Sequence, residues 1–174
     1  MDWYGCGVAA HRRSQPPPPA RAGIVDGVAW ASDLIRLEIA LWDRVDARLR
    51  RSHELPLAFF EGMLFVSRAP GASMRVGDLA RELRVTVGGT SKLIDRIQRA
   101  GLIAREPDPD DRRASRVVLT SAGKRRLTAA VKSYEAEVAS VLGAVLGPEE
   151  QQQMSDYIAR LLIWVDQREH HDLD

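Results

Sequence analysis

The fold of this chain is decided by the stretch VGDLARELRVTVGGTSKLIDRIQRAGLIAREPDPDDRRASRVVLT, which runs from Val76 to Thr120. Its first half contains two short runs in which apolar residues recur at the three- and four-residue spacing of a helix. These residues are Leu79, Ala80 and Leu83 in the first run and Leu93, Ile94 and Ile97 in the second. The segment from Val85 to Gly89 between them is short enough for a tight turn, so the stretch predicts a helix-turn-helix.

A β-ribbon is predicted directly after the second helix. Gly101 ends that helix, because glycine readily adopts the left-handed conformation found just past a helix C-terminus. Two short runs, at 102–104 and 116–120, flank an acidic tip that contains prolines, and 74–76 is a candidate third strand. The expected fold class is mainly α: a winged helix-turn-helix with a two- or three-stranded wing and long N- and C-terminal helices.

The second helix has an apolar and a polar face. The apolar face holds Val87, Thr90, Leu93, Ile94 and Ile97, and the polar face holds Ser91, Lys92, Asp95, Arg96 and Arg99. Thr86 is a favourable N-cap. Gly88 and Gly89 each disfavour a helix by about 1 kcal/mol, but they remove side-chain bulk where the helix could approach a groove or a phosphate. The alternative is an ordinary amphipathic helix with a solvated basic face, and the wing that follows favours the binding role.

The tip and the second helix also carry a family resemblance. The string DPDDRR at 108–113, with Leu119-Thr120 after it, looks like the wing of MarR-type transcriptional regulators. The segments LIDRI at 93–97 and AGLI at 100–103 resemble the same family, as does LPL at 55–57, where its second helix begins. The resemblance covers most of the chain, from Ile24 to Arg168, and is most specific in the wing and the recognition helix.

The resemblance implies a homodimer that binds a pseudo-palindromic operator in double-stranded DNA. One recognition helix per subunit would enter successive major grooves, about 10 bp apart. Ser91, Lys92 and Arg96 are then the candidates for base edges and nearby phosphates, beside the helix start at Gly88 and Gly89. No cofactor is implied.

The wing would contribute three further residues. Arg113 and Asp111 match the arginine and the aspartate of the family's Asp-x-Arg motif. In the family that arginine reaches the minor groove, where narrow, A·T-rich steps are favoured, and the aspartate supports the wing. Arg112, beside them, is expected to contact a phosphate.

Many relatives release DNA when a small aromatic or phenolic compound binds between the first helix and the winged domain, so the resemblance implies a repressor that such a ligand releases. Trp42, Phe59, Phe60 and Met63 could line such a pocket. Aromatic and methionine residues at helical spacing are as readily explained as core. The identity of the effector and of the target genes does not follow from the sequence.

Composition and charge agree with a polyanion-binding role. The stretch from Arg75 to Arg126 has 13 basic and 7 acidic residues, whereas the rest of the chain has 12 basic and 17 acidic ones. A basic centre between acidic flanks favours a nucleic-acid site in the winged region. The chain has 174 residues, no long apolar run and a single cysteine, Cys6, which predicts a cytoplasmic protein without a membrane partner.

Four regions are expected along the chain. Residues 1–22 form a disordered, proline-rich tail, 23–55 an N-terminal dimerisation helix, 56–120 the winged helix-turn-helix and 121–170 the C-terminal dimerisation helices. The long terminal helices carry more apolar surface than a small winged domain can cover, so a partner subunit is expected to cover it. The alternative is a monomer folded back on its first helix.

An enzyme is not expected. His11, His53, His170 and His171 are scattered without other residues at metal-ligand spacing, and Gly88-Gly89 lacks the lysine and serine of a phosphate loop. Cys6 lies too far upstream for the redox role that a cysteine plays in some relatives. The main alternative to a DNA-binding regulator is a winged-helix protein-interaction module without DNA binding, which a mobility shift would distinguish.

Overall fold

The structure is a computed structural model that describes residues 26–109, 111 and 114–169. Its contacts divide the chain into two compact units, Met1–Leu37 and Glu38–Asp174. The described part of the first unit contains the beginning of the first helix. The rest of that helix and all later helices and strands lie in the second unit. The predicted tail at 1–22 lies outside the described residues.

The described residues form six α-helices and three short strands, with a 3-10 turn at Pro70–Ala72. In chain order these are α1 (Gly27–His53), α2 (Leu57–Arg68), β1 (Ser73–Arg75), α3 (Val76–Glu82), α4 (Val87–Arg99), β2 (Ile103–Pro107), β3 (Ser115–Leu119), α5 (Ser121–Gly143) and α6 (Pro148–Glu169). The predicted fold class, a mainly α winged helix-turn-helix, is confirmed.

The wing is a three-stranded antiparallel sheet in the order β1-β3-β2. In its register Arg75 lies opposite Arg116, and Ile103 lies opposite Leu119. Of the two predicted versions of the wing, the three-stranded one is therefore present. Because β1 is followed at once by α3, the sheet is attached directly to the first helix of the helix-turn-helix.

Local signals set the ends of the helices. Thr86 and Thr120 accept hydrogen bonds on their hydroxyl oxygens from the N–H groups of Gly89 and Gly123, three residues on, as N-caps do. Gly101 has a φ of 71°, which confirms its predicted place just past α4. The predicted N-cap at Thr86 is confirmed, but the predicted connection from Val85 to Gly89 overlaps the observed one only at Val85 and Thr86, since α4 already begins at Val87.

The residues that connect α3 to α4 all precede Gly88 and Gly89 in the chain. Arg84 is the residue in the left-handed region, with a φ of 52°, and the N–H of Val85 donates back to the carbonyl of Ala80. The cap at Thr86 starts α4 at Val87, so both glycines lie in its first turn. Val87, predicted on the packed face, is 58% exposed because the first turn of α4 extends beyond the core.

One hydrophobic core joins the C-terminal half of α1 and the helices α2 to α5 to the wing. It includes Leu49, Phe60, Met63, Ile94, Ile97, Val117 and Leu127. The ring of Phe60 stacks on that of Tyr134, with centroids 5.0 Å apart. This core holds the inner face of α4, which leaves the polar face outward.

A carboxylate on α1 fixes the start of α2. The Oδ1 of Asp46 accepts the N–H of Leu57 at 2.7 Å, and Arg50 donates to its Oδ2. Burial alone would raise the pKa of Asp46, but these two hydrogen bonds outweigh it and lower the pKa. The contact spans the turn between α1 and α2 and was not anticipated from the sequence.

Both terminal helices expose apolar side chains. In the first unit these are Val28, Trp30, Leu34, Ile35 and Leu37. On α6 they are Tyr157, Ile158, Leu161, Leu162, Ile163, Trp164 and Val165, and no described side chain of that helix is buried. Among the described residues, no helix combines the length and apolarity needed to cross a membrane.

Candidate nucleic-acid interface

The start of α4 is an exposed helix end without side-chain bulk. Gly88 and Gly89 are both exposed and helical. A Cβ on Gly88 would meet no atom within 4 Å, and one on Gly89 would lie 3.2 Å from the Thr86 hydroxyl oxygen. No steric constraint within the described chain therefore accounts for glycine at position 88.

The predicted contact residues follow on the outer face of the same helix. Lys92 is exposed and Ser91 is half-buried. Arg96, one turn further, is exposed, and its guanidinium carbon lies 5.3 Å from the centroid of the Phe59 ring. A cation over an aromatic face is attracted by it, so the contact with Phe59 orients Arg96 before any partner arrives.

An ion pair that was not predicted connects α4 to the wing. Arg105 on β2 donates to the Oδ1 of Asp95 at 2.7 Å. Arg99 donates to the backbone carbonyl of the same aspartate. The side chains of Arg105 and Asp95 are both substantially exposed, so solvent weakens this ion pair. It nevertheless places β2 beside the polar face of the helix.

At the base of the wing tip a buried carboxylate lies between two arginines. The Nε of Arg75 donates to the Oδ2 of Asp108 at 2.7 Å, and the Nε of Arg116 lies 3.2 Å from the same oxygen as a charge contact without hydrogen-bond geometry. The hydrogen bond to Asp108 raises the pKa of the Arg75 guanidinium, which stays charged. Sequence reasoning assigned wing support to Asp111 and missed this role of Asp108.

Asp111 itself is exposed, and its backbone N–H donates to the Oδ1 of Asp108 at 3.2 Å. Its carbonyl accepts the N–H of Ala114. The structure therefore brings Asp111 next to the buried carboxylate. Arg112 and Arg113, the predicted DNA contacts of the tip, lie outside the described residues.

The four residues of the predicted effector pocket do not share one environment. Phe59, Phe60 and Met63 belong to the hydrophobic core, whereas Trp42 is 45% exposed. A surface cavity of about 620 Å³ is lined by other residues, among them Arg51, Arg125 and Arg126. The aromatic pocket stays a prediction.

The fold and this surface define a class, the winged helix-turn-helix proteins with long terminal helices. Residues 63–114 match the family model of the MarR family. The match confirms the resemblance predicted from the sequence.

Comparison with individual proteins gives the same class. The chain is 37% identical over 54 residues to the HTH-type transcriptional regulator YcgE of Bacillus subtilis; this match covers 31% of the chain and 35% of YcgE. The chain thus spans about a third of the length of the curated relative it matches. YcgE, and the proteins Sco3205 and AbsC of Streptomyces coelicolor, are transcriptional regulators, in agreement with the prediction that this is not an enzyme.

Three solved structures share the fold over most of the chain. Sco3205 of Streptomyces coelicolor, a MarR family regulator solved in complex with DNA, has a TM-score of 0.70 at 21% identity, covering 82% of this chain and 90% of that one. AbsC of the same organism has 0.69 at 23% identity, with 83% and 97% covered. MarR of E. coli, in its apo form, has 0.67 at 16% identity, with 80% and 99% covered.

Proposed function

We propose that this protein is a sequence-specific double-stranded DNA-binding regulator of transcription that acts as a homodimer. The observation that carries the proposal is the outer face of α4, which begins with two exposed glycines and continues through Lys92 and Arg96 beside a three-stranded wing. The solved relative Sco3205, which has the same fold, is in complex with DNA.

In the proposed complex α4 and the wing contact different grooves of the DNA. The N-terminal half of α4 enters the major groove, where Ser91, Lys92 and Arg96 contact base edges and phosphates. The wing tip follows the adjacent minor groove, with Arg113 reading its width and Arg112 on a phosphate. A two-fold dimer places two such units on half-sites about 10 bp apart in a pseudo-palindromic operator.

The proposal extends to repression in the cytoplasm and release by a small aromatic or phenolic ligand. Support for a ligand site is the exposed indole of Trp42 on α1. Footprinting on the DNA next to the protein's own gene, repeated with a panel of aromatic compounds, tests this extension. Protection that no compound alters would contradict ligand release.

The DNA-binding proposal is tested by a mobility shift against a genomic fragment library. We expect a specific shift that weakens with added salt, because phosphate contacts release counterions. If no fragment is shifted specifically at low salt, the protein-interaction alternative is favoured instead.

We expect Lys92→Ala and Arg96→Ala to change sequence preference in the selected operator. Each lost base-edge contact should cost about 1–3 kcal/mol and relax preference at one position. Fluorescence anisotropy on matched and singly substituted operators measures this. Lys132→Ala, an exposed lysine on α5, is the control for general loss of charge. If all operators weakened alike, both residues would contact only phosphates.

We expect Gly88→Ala to have opposite effects on stability and on DNA affinity. Since a Cβ there meets no atom of the chain within 4 Å, alanine should stabilise the protein by up to about 1 kcal/mol. The same methyl group should weaken operator binding by about ten-fold, because it lies where the helix approaches the groove. Thermal unfolding and anisotropy measure the two effects, and unchanged affinity would show that the helix start does not approach DNA closely.

A further inference from the structure

The buried carboxylate at the base of the wing tip belongs to Asp108. Its side chain is completely shielded from solvent, whereas those of Arg75 and Arg116 are 42% and 33% exposed. Among the described residues from 105 to 115, Asp108 is the only buried one. The hydrophobic contacts of the sheet, such as those of Val117 and Leu119, lie below the tip. Among the described residues of the tip, the buried contact with the sheet is therefore made by a carboxylate and not by an apolar side chain.

The carboxylate connects three separate parts of the domain. Arg75 is the last residue of β1 and directly precedes α3, the first helix of the helix-turn-helix. Arg116 lies on the central strand, opposite Arg75 in the register, and also donates to the hydroxyl of Ser73. The second oxygen of Asp108 accepts the N–H of Asp111 in the tip.

A buried carboxylate is tolerated only when cations and N–H groups replace its water. Asp108 has both kinds of partner, and its own N–H donates to the carbonyl of Ala114 across the hairpin. Because the cations come from the sheet and the N–H comes from the tip, moving the tip would leave the charge without its partners. Asp108 thereby links the described part of the tip to β1 and β3, and through Arg75 to the start of α3.

We propose that Asp108 is a positioning residue that holds the wing tip, through Arg75 and Arg116, in the orientation needed to reach the minor groove beside α4. The proposal rests on the function proposed above, since it concerns how the tip meets DNA. Asp108 contacts no DNA in this scheme and acts through the residues of the tip.

The first test does not involve DNA. Hydrogen exchange of Asp108→Asn should be faster than that of the parent in residues 103–119, with α2 and α5 unchanged, because asparagine keeps the shape but loses the charge. Glu137→Gln is the matched control, since it removes a carboxylate from an ion pair with Arg44 between α5 and α1. Unchanged exchange in the wing of Asp108→Asn would overturn the proposal. If that variant does not fold, Arg75→Gln removes the more exposed arginine and is expected to act in the same direction.

The second test is a double-mutant cycle on the operator. Asp108→Asn should weaken binding by about ten-fold, as Arg113→Ala is expected to do, and the double variant should be no weaker than Arg113→Ala alone. Glu137→Gln should bind like the parent. Additive losses, or parental affinity of Asp108→Asn, would overturn the positioning role. Failure of the parent and of Glu137→Gln to bind any operator would instead overturn the proposed function, while the exchange data still decide whether Asp108 holds the tip.

Discussion

Gly123→Ala is expected to destabilise the protein by more than about 3 kcal/mol, because the new methyl group would overlap backbone that cannot move away. A Cβ at position 123 would lie 1.9 Å from the carbonyl oxygen of Leu102 and 2.9 Å from its carbonyl carbon. That oxygen also accepts the N–H of Thr120, and the N–H of Leu102 donates to the carbonyl of Ile97. The close approach joins the first turn of α5 to the junction of α4 and β2.

Urea unfolding followed by circular dichroism measures this loss. Gly77→Ala is the control, because Gly77 is likewise helical but is exposed, and a Cβ there would meet nothing within 4 Å. The control should be neutral or slightly stabilising, as expected for alanine in a helix. A Gly123→Ala protein with the unfolding midpoint of the parent would mean that α5 can shift away from Leu102 at little cost.

Leu161→Asp is expected to convert the dimer to a monomer and to abolish tight operator binding. Leu161 lies in the apolar stripe of α6 and is 49% exposed in the single chain. In the proposed dimer this stripe is covered by the partner, and an unpaired carboxylate would then have to be buried at a large cost. A monomer engages one half-site at a time, so operator affinity should fall by about 10²–10⁴-fold.

Light scattering measures the molecular mass of the Leu161→Asp protein, and fluorescence anisotropy measures its affinity for the operator. Ala159→Asp introduces the same charge on the opposite side of α6, since two residues correspond to a rotation of about 200°, and should leave the dimer intact. A Leu161→Asp protein that remains dimeric would place the interface elsewhere. A parent protein that is monomeric at micromolar concentration would instead support the monomer folded back on its own first helix.

The candidate surface was largely predictable because its signals are local. The apolar spacing of α4 placed Lys92 and Arg96 on its outer face, and both are exposed. The effector residues were less predictable, because side chains such as Phe60 and Met63 give the same pattern whether they line a cavity or fill a core. The wing contacts Arg112 and Arg113 stay predictions.

The order of the elements and most of their ends were determined by the sequence itself. The threonines at 86 and 120 cap the helices that follow them, and Gly101 ends α4, as the local pattern predicts. These features depend on residues three or four positions apart, so the chemistry that sets them is contained in a short segment.

Only the tertiary structure decided which charged groups are buried together and which glycine is sterically required. The segment from Arg75 to Arg126 offers many arginine–aspartate combinations, and the strand register that puts Arg75 opposite Arg116 selects Asp108 as their shared partner. Gly123 is required by a carbonyl 21 residues earlier in the chain, whereas Gly88 has no such neighbour. These contacts join distant residues and depend on how strands and helices pack, which periodicity along one segment does not encode.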